Sequence, residues 1–159
     1  MNLLAKTTVL AFCIGTGWIF AEAAVGAETV PASSIPAEDL LQPASLAAIL
    51  KSNSEPRPLV LQIGFRKLYN EAHIIGAEYA GPSNESAGLD VLRERVAKLP
   101  KETPIVIYCG CCPWGKCPNI GTAFSALRAL GFRDVKALYI AHDFGTNWID
   151  EGYPVTKGG

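Results

Sequence analysis

The chain has 159 residues, 49% of them hydrophobic and 18% charged, with 15 glycines and 11 prolines. This size fits one globular domain, and the composition is too apolar for a disordered chain. The formal net charge of -1 offers no basic field that would argue for nucleic-acid binding. Four of the five cysteines, Cys109, Cys111, Cys112 and Cys117, share one short segment, whereas a disulfide framework would spread them along the chain.

Residues 1–27 have the layout of a secretory signal peptide. Lys6 precedes an apolar run over residues 7–20, and small residues lead to a cleavage point after Ala27. The run is shorter than the roughly 20 residues that span a bilayer. We therefore expect a secreted or periplasmic protein that loses Cys13 with this segment, and that meets a membrane only if the segment stays uncleaved.

The rest of the chain alternates between helical and extended patterns. Residues 28–39 predict a flexible lead-in. Apolar spacing predicts helices over 40–50, 65–72, 89–99 and 120–130, the last ending at Gly131, and a helical turn over 148–152. Short apolar runs predict strands at 59–63, 73–79, 105–108 and 135–140. This alternation predicts a single α/β domain over residues 40–157, with a mostly parallel central sheet flanked by helices.

Cys109 directly follows the strand predicted at 105–108 and precedes a loop and a helix. Reactive groups in parallel sheets lie beyond the carboxyl ends of the strands, and the positive end of a following helix favours a thiolate. We therefore expect a lowered pKa for Cys109 and a role as the catalytic nucleophile. Gly110 and Gly115 would let the loop backbone curl around an anion.

Several short motifs resemble the rhodanese-like domain family. They are the segment 73–77 (HIIGA), the strand 105–108 with Cys109, the segment 130–132 (LGF), Trp148 and the segment 152–155 (GYPV). The resemblance implies a rhodanese-like domain with sulfurtransferase activity and no cofactor. Cys109 would take sulfane sulfur from a small donor such as thiosulfate or a persulfide. It would hold that sulfur as a persulfide and pass it to a thiol or protein acceptor.

The implied active-site loop is longer and richer in cysteine than the family pattern. It comprises Gly110, Cys111, Cys112, Trp114, Gly115, Lys116 and Cys117. Lys116 is its only cationic residue, where the family often has an arginine. Gln62 ends the early strand, where the family commonly has an aspartate.

Three interpretations of Cys111, Cys112 and Cys117 stay open from the sequence. Cys117 could pair with Cys111 or Cys112 in a disulfide that pins the loop. The thiols could instead resolve an oxidised Cys109, as in a thiol–disulfide redox protein. A non-enzymatic metal- or sulfur-binding module would use Cys109 and these three cysteines as ligands, although one loop is cramped for four ligands and no metal is expected. We expect a structural role for His73, and a surface position for His142 and Asp143.

Overall fold

The computed structural model describes residues 29–52 and 55–158. The predicted signal peptide lies outside the described residues. Within these two ranges, no helix combines the length and hydrophobicity needed to cross a membrane.

A five-stranded parallel sheet forms the centre of the domain. Its strands are β1 (Leu40–Leu41), β2 (Leu59–Gln62), β4 (Glu78–Tyr79), β5 (Ile105–Tyr108) and β6 (Val135–Leu138), in the order β1-β6-β5-β2-β4. Every neighbouring pair is parallel. A separate antiparallel pair joins β3 (His73–Ile74) to β7 (Val155–Thr156). The predicted α/β fold with a mostly parallel central sheet is confirmed.

Four α-helices connect the strands. They are α1 (Pro43–Lys51), α2 (Arg66–Glu71), α3 (Ser86–Val96) and α4 (Ile120–Ala129). Pro43 stands in the first turn of α1, where its missing N–H costs no helical hydrogen bond. Gly131 follows α4 with φ +89°, a left-handed conformation that glycine adopts without strain.

Alternating side chains of the buried strands supply two cores, one on each face of the sheet. On one face, Leu61 and Ile107 pack with apolar residues of α3 and α4. On the other face, Val60 and Val106 pack with α1 and with the buried Trp148. This period-2 alternation places consecutive residues of β5 in different cores and holds the strand rigidly between them.

Residues 29–39, the described part of the expected lead-in, pack against the domain. Ala32 and Ile35 are buried in the core beside α4. The Val30 N–H donates a hydrogen bond to Thr122 Oγ1 at 2.9 Å. Gly121 makes this approach feasible, because a Cβ there would lie 2.3 Å from the Val30 carbonyl oxygen.

Several predicted elements also differ in extent, and three of the differences affect the topology or its description. Leu40 and Leu41 form β1 because they pair with β6, and so α1 begins only at Pro43. The strand predicted at 73–79 is divided into β3 and β4, which belong to different sheets. The terminal helical turn is a π-helix, Gly145–Ile149, that starts three residues before the predicted one.

Candidate active site

Cys109 lies at the carboxyl end of β5, in the middle of the sheet, and is 5% exposed. The Ile63 N–H donates to the Tyr108 carbonyl at 2.9 Å, which ties the end of β5 to its neighbour β2. The next residue, Gly110, has φ +72°, and a Cβ there would lie 2.7 Å from the Cβ of Phe144. Glycine is therefore required at this turn, which carries the chain out of the sheet immediately after the thiol.

The loop folds its cysteines back onto Cys109. The Sγ atoms of Cys109 and Cys111 are 3.1 Å apart, and those of Cys111 and Cys112 are 3.2 Å apart. The Sγ atoms of Cys109, Cys111 and Cys117 all lie within 4.8 Å of one another. All four cysteines are free thiols, so neither disulfide considered from the sequence is formed in this structure.

The start of α4 provides hydrogen-bond donors to two of these sulfurs. Fully buried Asn119 donates from Nδ2 to Cys109 Sγ at 3.4 Å. Its Oδ1 accepts the Asn84 N–H at 2.9 Å, which fixes the orientation of the amide. The backbone amides of Asn119 and Ile120 act on Cys117, where they oppose the rise in the pKa of its thiol. The helix start therefore faces the cluster as expected, but its backbone amides act on Cys117 rather than on Cys109.

Asn119 was not among the residues expected from the sequence. The sequence indicates this role only weakly, because a polar residue directly before an apolar helix is first interpreted as a helix cap. The structure shows no side-chain cap from Asn119, and its side chain instead connects the segment before α3 to the thiol at the end of β5.

The thiol cluster places its negative charge on Cys111. Hydrogen bonds from Cys109 and then from Cys117 lower the pKa of the Cys111 thiol to about 2. Donation of its own S–H to Cys111, followed by contact with Cys117 and by burial, raises the pKa of Cys109. The expectation of a lowered pKa for Cys109 is therefore wrong for this arrangement, because a neighbouring sulfur accepts its proton.

Cys109 and Cys111 line a cavity of about 320 Å³ at the carboxyl edge of the sheet. Its apolar wall includes Phe144. Glu71 and Asp143 also line it, and none of the described residues that line it is lysine, arginine or histidine. The cavity is thus open to a small molecule, and the charged residues that line it are both carboxylates, of which Glu71 pairs with Lys67 at 4.0 Å.

Gln62 also lines this cavity and is 2% exposed. Its Oε1 accepts the Gly64 N–H at 3.3 Å. Gly64 itself packs against the catalytic candidate, since a Cβ on it would lie 2.9 Å from Cys109 Sγ. The end of β2 therefore forms a close wall beside the thiol.

The remaining loop residues lie away from this cavity. Trp114, Gly115 and Lys116 form a single 3₁₀ turn. The Trp114 ring packs against Tyr139 with centroids 5.2 Å apart, and Lys116 is exposed to solvent. Trp114, Cys112 and Cys117 line a second space of only about 10 Å³ on the inner side of the loop. Of the predicted loop residues, only Gly110 and Cys111 join Cys109 at the larger cavity.

The two histidines have no position on the cavity. His73 is buried, stacks on Tyr69 with centroids 3.8 Å apart, and bonds the Tyr69 carbonyl through Nδ1 at 2.8 Å. His142 is exposed, whereas its neighbour Asp143 both lines the cavity and accepts the Thr146 N–H at 2.8 Å. Asp143 thereby anchors the π-helix while adding negative charge near the thiols.

No family model and no curated protein sequence matches the chain. Solved structures do match. A crystal structure of the Alr3790 protein from Anabaena sp. is 22% identical with a TM-score of 0.58, over 74% of this chain and 92% of that one. A solution structure of the rhodanese-like domain of the same protein is 22% identical with a TM-score of 0.56, over 75% and 79%. The chain has the rhodanese-like fold.

A further similar structure is the BH2092 protein from Bacillus halodurans, 24% identical with a TM-score of 0.57, over 74% of this chain and 75% of that one. At these identities the comparison establishes the architecture alone.

Proposed function

We propose that this protein transfers sulfane sulfur through a persulfide formed on Cys109. The observation that carries the proposal is the position of Cys109 Sγ at the end of the central strand, on the cavity and 3.1 Å from Cys111 Sγ. At that distance the two sulfurs share one proton through the S–H···S contact and carry one negative charge between them. The proton rests on Cys109, which reacts as a thiolate when that proton moves to Cys111; because the pKa of Cys109 is raised, this proton shift adds to the barrier.

The transfer runs in two balanced steps. The Cys109 thiolate attacks the outer sulfur of a donor R–S–S–H, the donor S–S bond breaks, and RS⁻ leaves with the electron pair. RS⁻ takes the proton from Cys111, and Cys109 now carries –S–SH. An acceptor thiolate then attacks that outer sulfur and returns Cys109 as a thiolate. The Asn119 amide, 3.4 Å from the sulfur, would help to hold the anionic form.

The charge of the cavity favours a persulfide donor over thiosulfate. Thiosulfate is a dianion, and the charged residues of the cavity wall are the exposed Glu71 and Asp143, with Lys67 outside the wall at 4.0 Å from Glu71. Like charges repel, and water and Lys67 screen this repulsion, so the expected preference between the two donors is modest. A neutral or singly charged persulfide of a small thiol avoids most of this repulsion.

We place this activity outside the cytoplasm, on the support of the predicted signal peptide at residues 1–27. An oxidising compartment converts neighbouring thiols to disulfides unless they are kept reduced. The activity would therefore depend on an external thiol reductant. Thiosulfate stays a donor to be compared, and a protein thiol stays a candidate acceptor.

The test is release of thiocyanate from cyanide by the reduced full chain, with a glutathione-type persulfide and thiosulfate as alternative donors. We expect faster turnover with the persulfide, and a fall to the uncatalysed background in Cys109→Ser. Cys112→Ser is the matched control, because Cys112 does not line the larger cavity, and it should keep most of the activity. Equal rates in Cys109→Ser and the wild type would reject the proposal.

A second candidate function, thiol–disulfide exchange, is favoured by the 3.1 Å and 3.2 Å sulfur contacts along Cys109, Cys111 and Cys112. In this alternative, Cys111 attacks the inner sulfur of a Cys109 persulfide, releases HS⁻ and leaves a disulfide that an external dithiol must reduce. Reduction potentials and thiol counts of the wild type and Cys111→Ser separate the two functions, because only the wild type can form the Cys109–Cys111 disulfide. A purely structural disulfide would have a reduction potential well below that of the glutathione pool.

A further inference from the structure

We propose that Cys109, Cys111 and Cys117 bind one soft monovalent cation, Cu(I), in a trigonal three-sulfur site. The site does not rest on sulfur transfer and would exist in a protein without that activity. It uses three of the four loop thiols. Cys112 is not a ligand in this arrangement.

The sulfur positions nearly match those of a trigonal site. A d¹⁰ metal–thiolate bond of about 2.3 Å places the three sulfurs of a planar site about 4.0 Å apart. The three Sγ atoms lie within 4.8 Å of one another, and the shortest contact, between Cys109 and Cys111, is 3.1 Å. Opening that contact by about 1 Å completes the geometry, which small side-chain rotations of the half-buried Cys111 can supply.

The ligand set selects the metal. All the ligands in the group are cysteine sulfurs, and cysteine thiolates prefer Cu(I), Zn²⁺ and iron–sulfur clusters among biological metals. Structural Zn²⁺ sites take four ligands. The fourth loop cysteine, Cys112, has its sulfur 3.2 Å from Cys111 Sγ but does not belong to the group of three. Three cysteine sulfurs with no fourth ligand are enough for Cu(I), which needs fewer ligands than Zn²⁺.

The surroundings favour a bound cation with a net negative thiolate shell. Binding exchanges the two protons that the three sulfurs hold for one Cu⁺ and involves no electron transfer. The shell that results carries two negative charges, and Asn119 Nδ2 donates to one of its sulfurs, Cys109 Sγ, at 3.4 Å. Glu71 and Asp143 place carboxylates at the entrance, which favour the approach of a cation over that of an anion.

Burial would also protect the reduced metal. Cys109 is 5% exposed and Cys117 is 7% exposed, so two of the three ligands are withheld from water. Cys111, half-buried on the cavity, is the sulfur through which a donor ligand can hand over the ion by stepwise exchange. The arrangement therefore suits acquisition of Cu(I) from a small carrier or chelator.

The test is an anaerobic titration of the reduced full chain against a coloured Cu(I) chelator. We expect one Cu(I) per chain and X-ray absorption from three sulfurs at about 2.3 Å. Cys109→Ser, Cys111→Ser and Cys117→Ser should each weaken binding by at least 10- to 100-fold, the scale found even for outer-shell changes at metal sites. Cys112→Ser should bind like the wild type, and far-ultraviolet circular dichroism verifies that each variant is folded.

Three results would overturn the site: no copper retained against the chelator, several copper ions bound with no variant dominating, or a four-sulfur shell that requires Cys112. Thiocyanate release is measured on the same metal-free wild-type preparation, so the two proposals fail separately. A protein that releases thiocyanate but loses all its copper to the chelator would refute only the metal site. A protein that binds copper but does not release thiocyanate would refute only the proposed sulfur transfer.

Discussion

Replacing Gly64 by alanine tests whether the position of the Cys109 sulfur governs the reaction. The new Cβ would lie 2.9 Å from Cys109 Sγ and 3.1 Å from Gln62 Nε2, with the Cys109 carbonyl at 3.6 Å. The φ angle of Gly64 lies outside the left-handed range, so the backbone itself accepts alanine. The substitution therefore acts through contact with the two side chains.

The size of the effect follows from that contact. Unstrained non-bonded heavy atoms stand about 3.5–4.0 Å apart, so the Cys109 sulfur must retreat by roughly 0.6–1 Å. Misplacing a reacting atom by about 1 Å can lower the rate about 100-fold, equivalent to about 2.7 kcal/mol of barrier. We expect a 10- to 100-fold slower release of thiocyanate in Gly64→Ala.

The matched control is Gly115→Ala in the cysteine loop, where an added Cβ would have no neighbour within 4 Å. Its rate should stay within about twofold of the wild type. Denaturant unfolding of both variants separates a displaced sulfur from general overpacking, which costs about 1–3 kcal/mol. Wild-type turnover in Gly64→Ala, or an equal loss in Gly115→Ala, would refute the reasoning.

The other predictions concern stability. Gly121→Ala should release the lead-in from α4 and cost about 2–3 kcal/mol in urea unfolding, with new proteolysis at residues 29–39; a wild-type digestion pattern would contradict this. Tyr108→Phe removes the hydroxyl that accepts the Ile74 N–H at 3.1 Å, and should cost about 1–3 kcal/mol, whereas an unchanged urea midpoint would disprove the role. The hydrogen bonds from Arg95 lower the pKa of Glu78, so the stability they provide is fully present above the pKa of Glu78 in the unfolded chain and is lost as the pH falls through its pKa in the folded protein. Because both side chains are partly exposed, Arg95→Gln should lower the free energy of unfolding by less than about 1 kcal/mol, and only at a pH above the folded pKa of Glu78. An equal loss of stability at pH 2 would contradict a contribution from the ion pair.

Local patterns were enough to predict most elements of the fold. The β-branched run at 105–108 predicts a strand with its observed bounds, and the apolar spacing at 120–130 predicts α4 to within one residue. Short pieces were harder, because Leu40 and Leu41 become β1 only by pairing with Ala137 and Leu138. The lead-in has little local signal, and its order comes from contact with α4.

The candidate site, like the fold, was only partly predictable from local sequence. The place of Cys109 after a buried strand is a local property, and it predicts a thiol at the edge of the sheet. The partners of that thiol are not local. Asn119 is a helix-preceding residue in the sequence, and it becomes a donor to Cys109 only because the loop returns the start of α4 to the end of β5.

The sequence by itself determined the alternation of the longer strands and helices, the strand-end position of Cys109 and the concentration of thiols in one loop, since each depends on residue type and spacing along the chain. The tertiary structure alone decided which sulfur accepts the protons, and that the charged residues lining the cavity are the carboxylates of Glu71 and Asp143. Those properties depend on distances of a few ångströms between residues from different elements. Such distances are set by the packing of the whole domain, because hydrogen bonds and charge interactions weaken steeply as atoms separate.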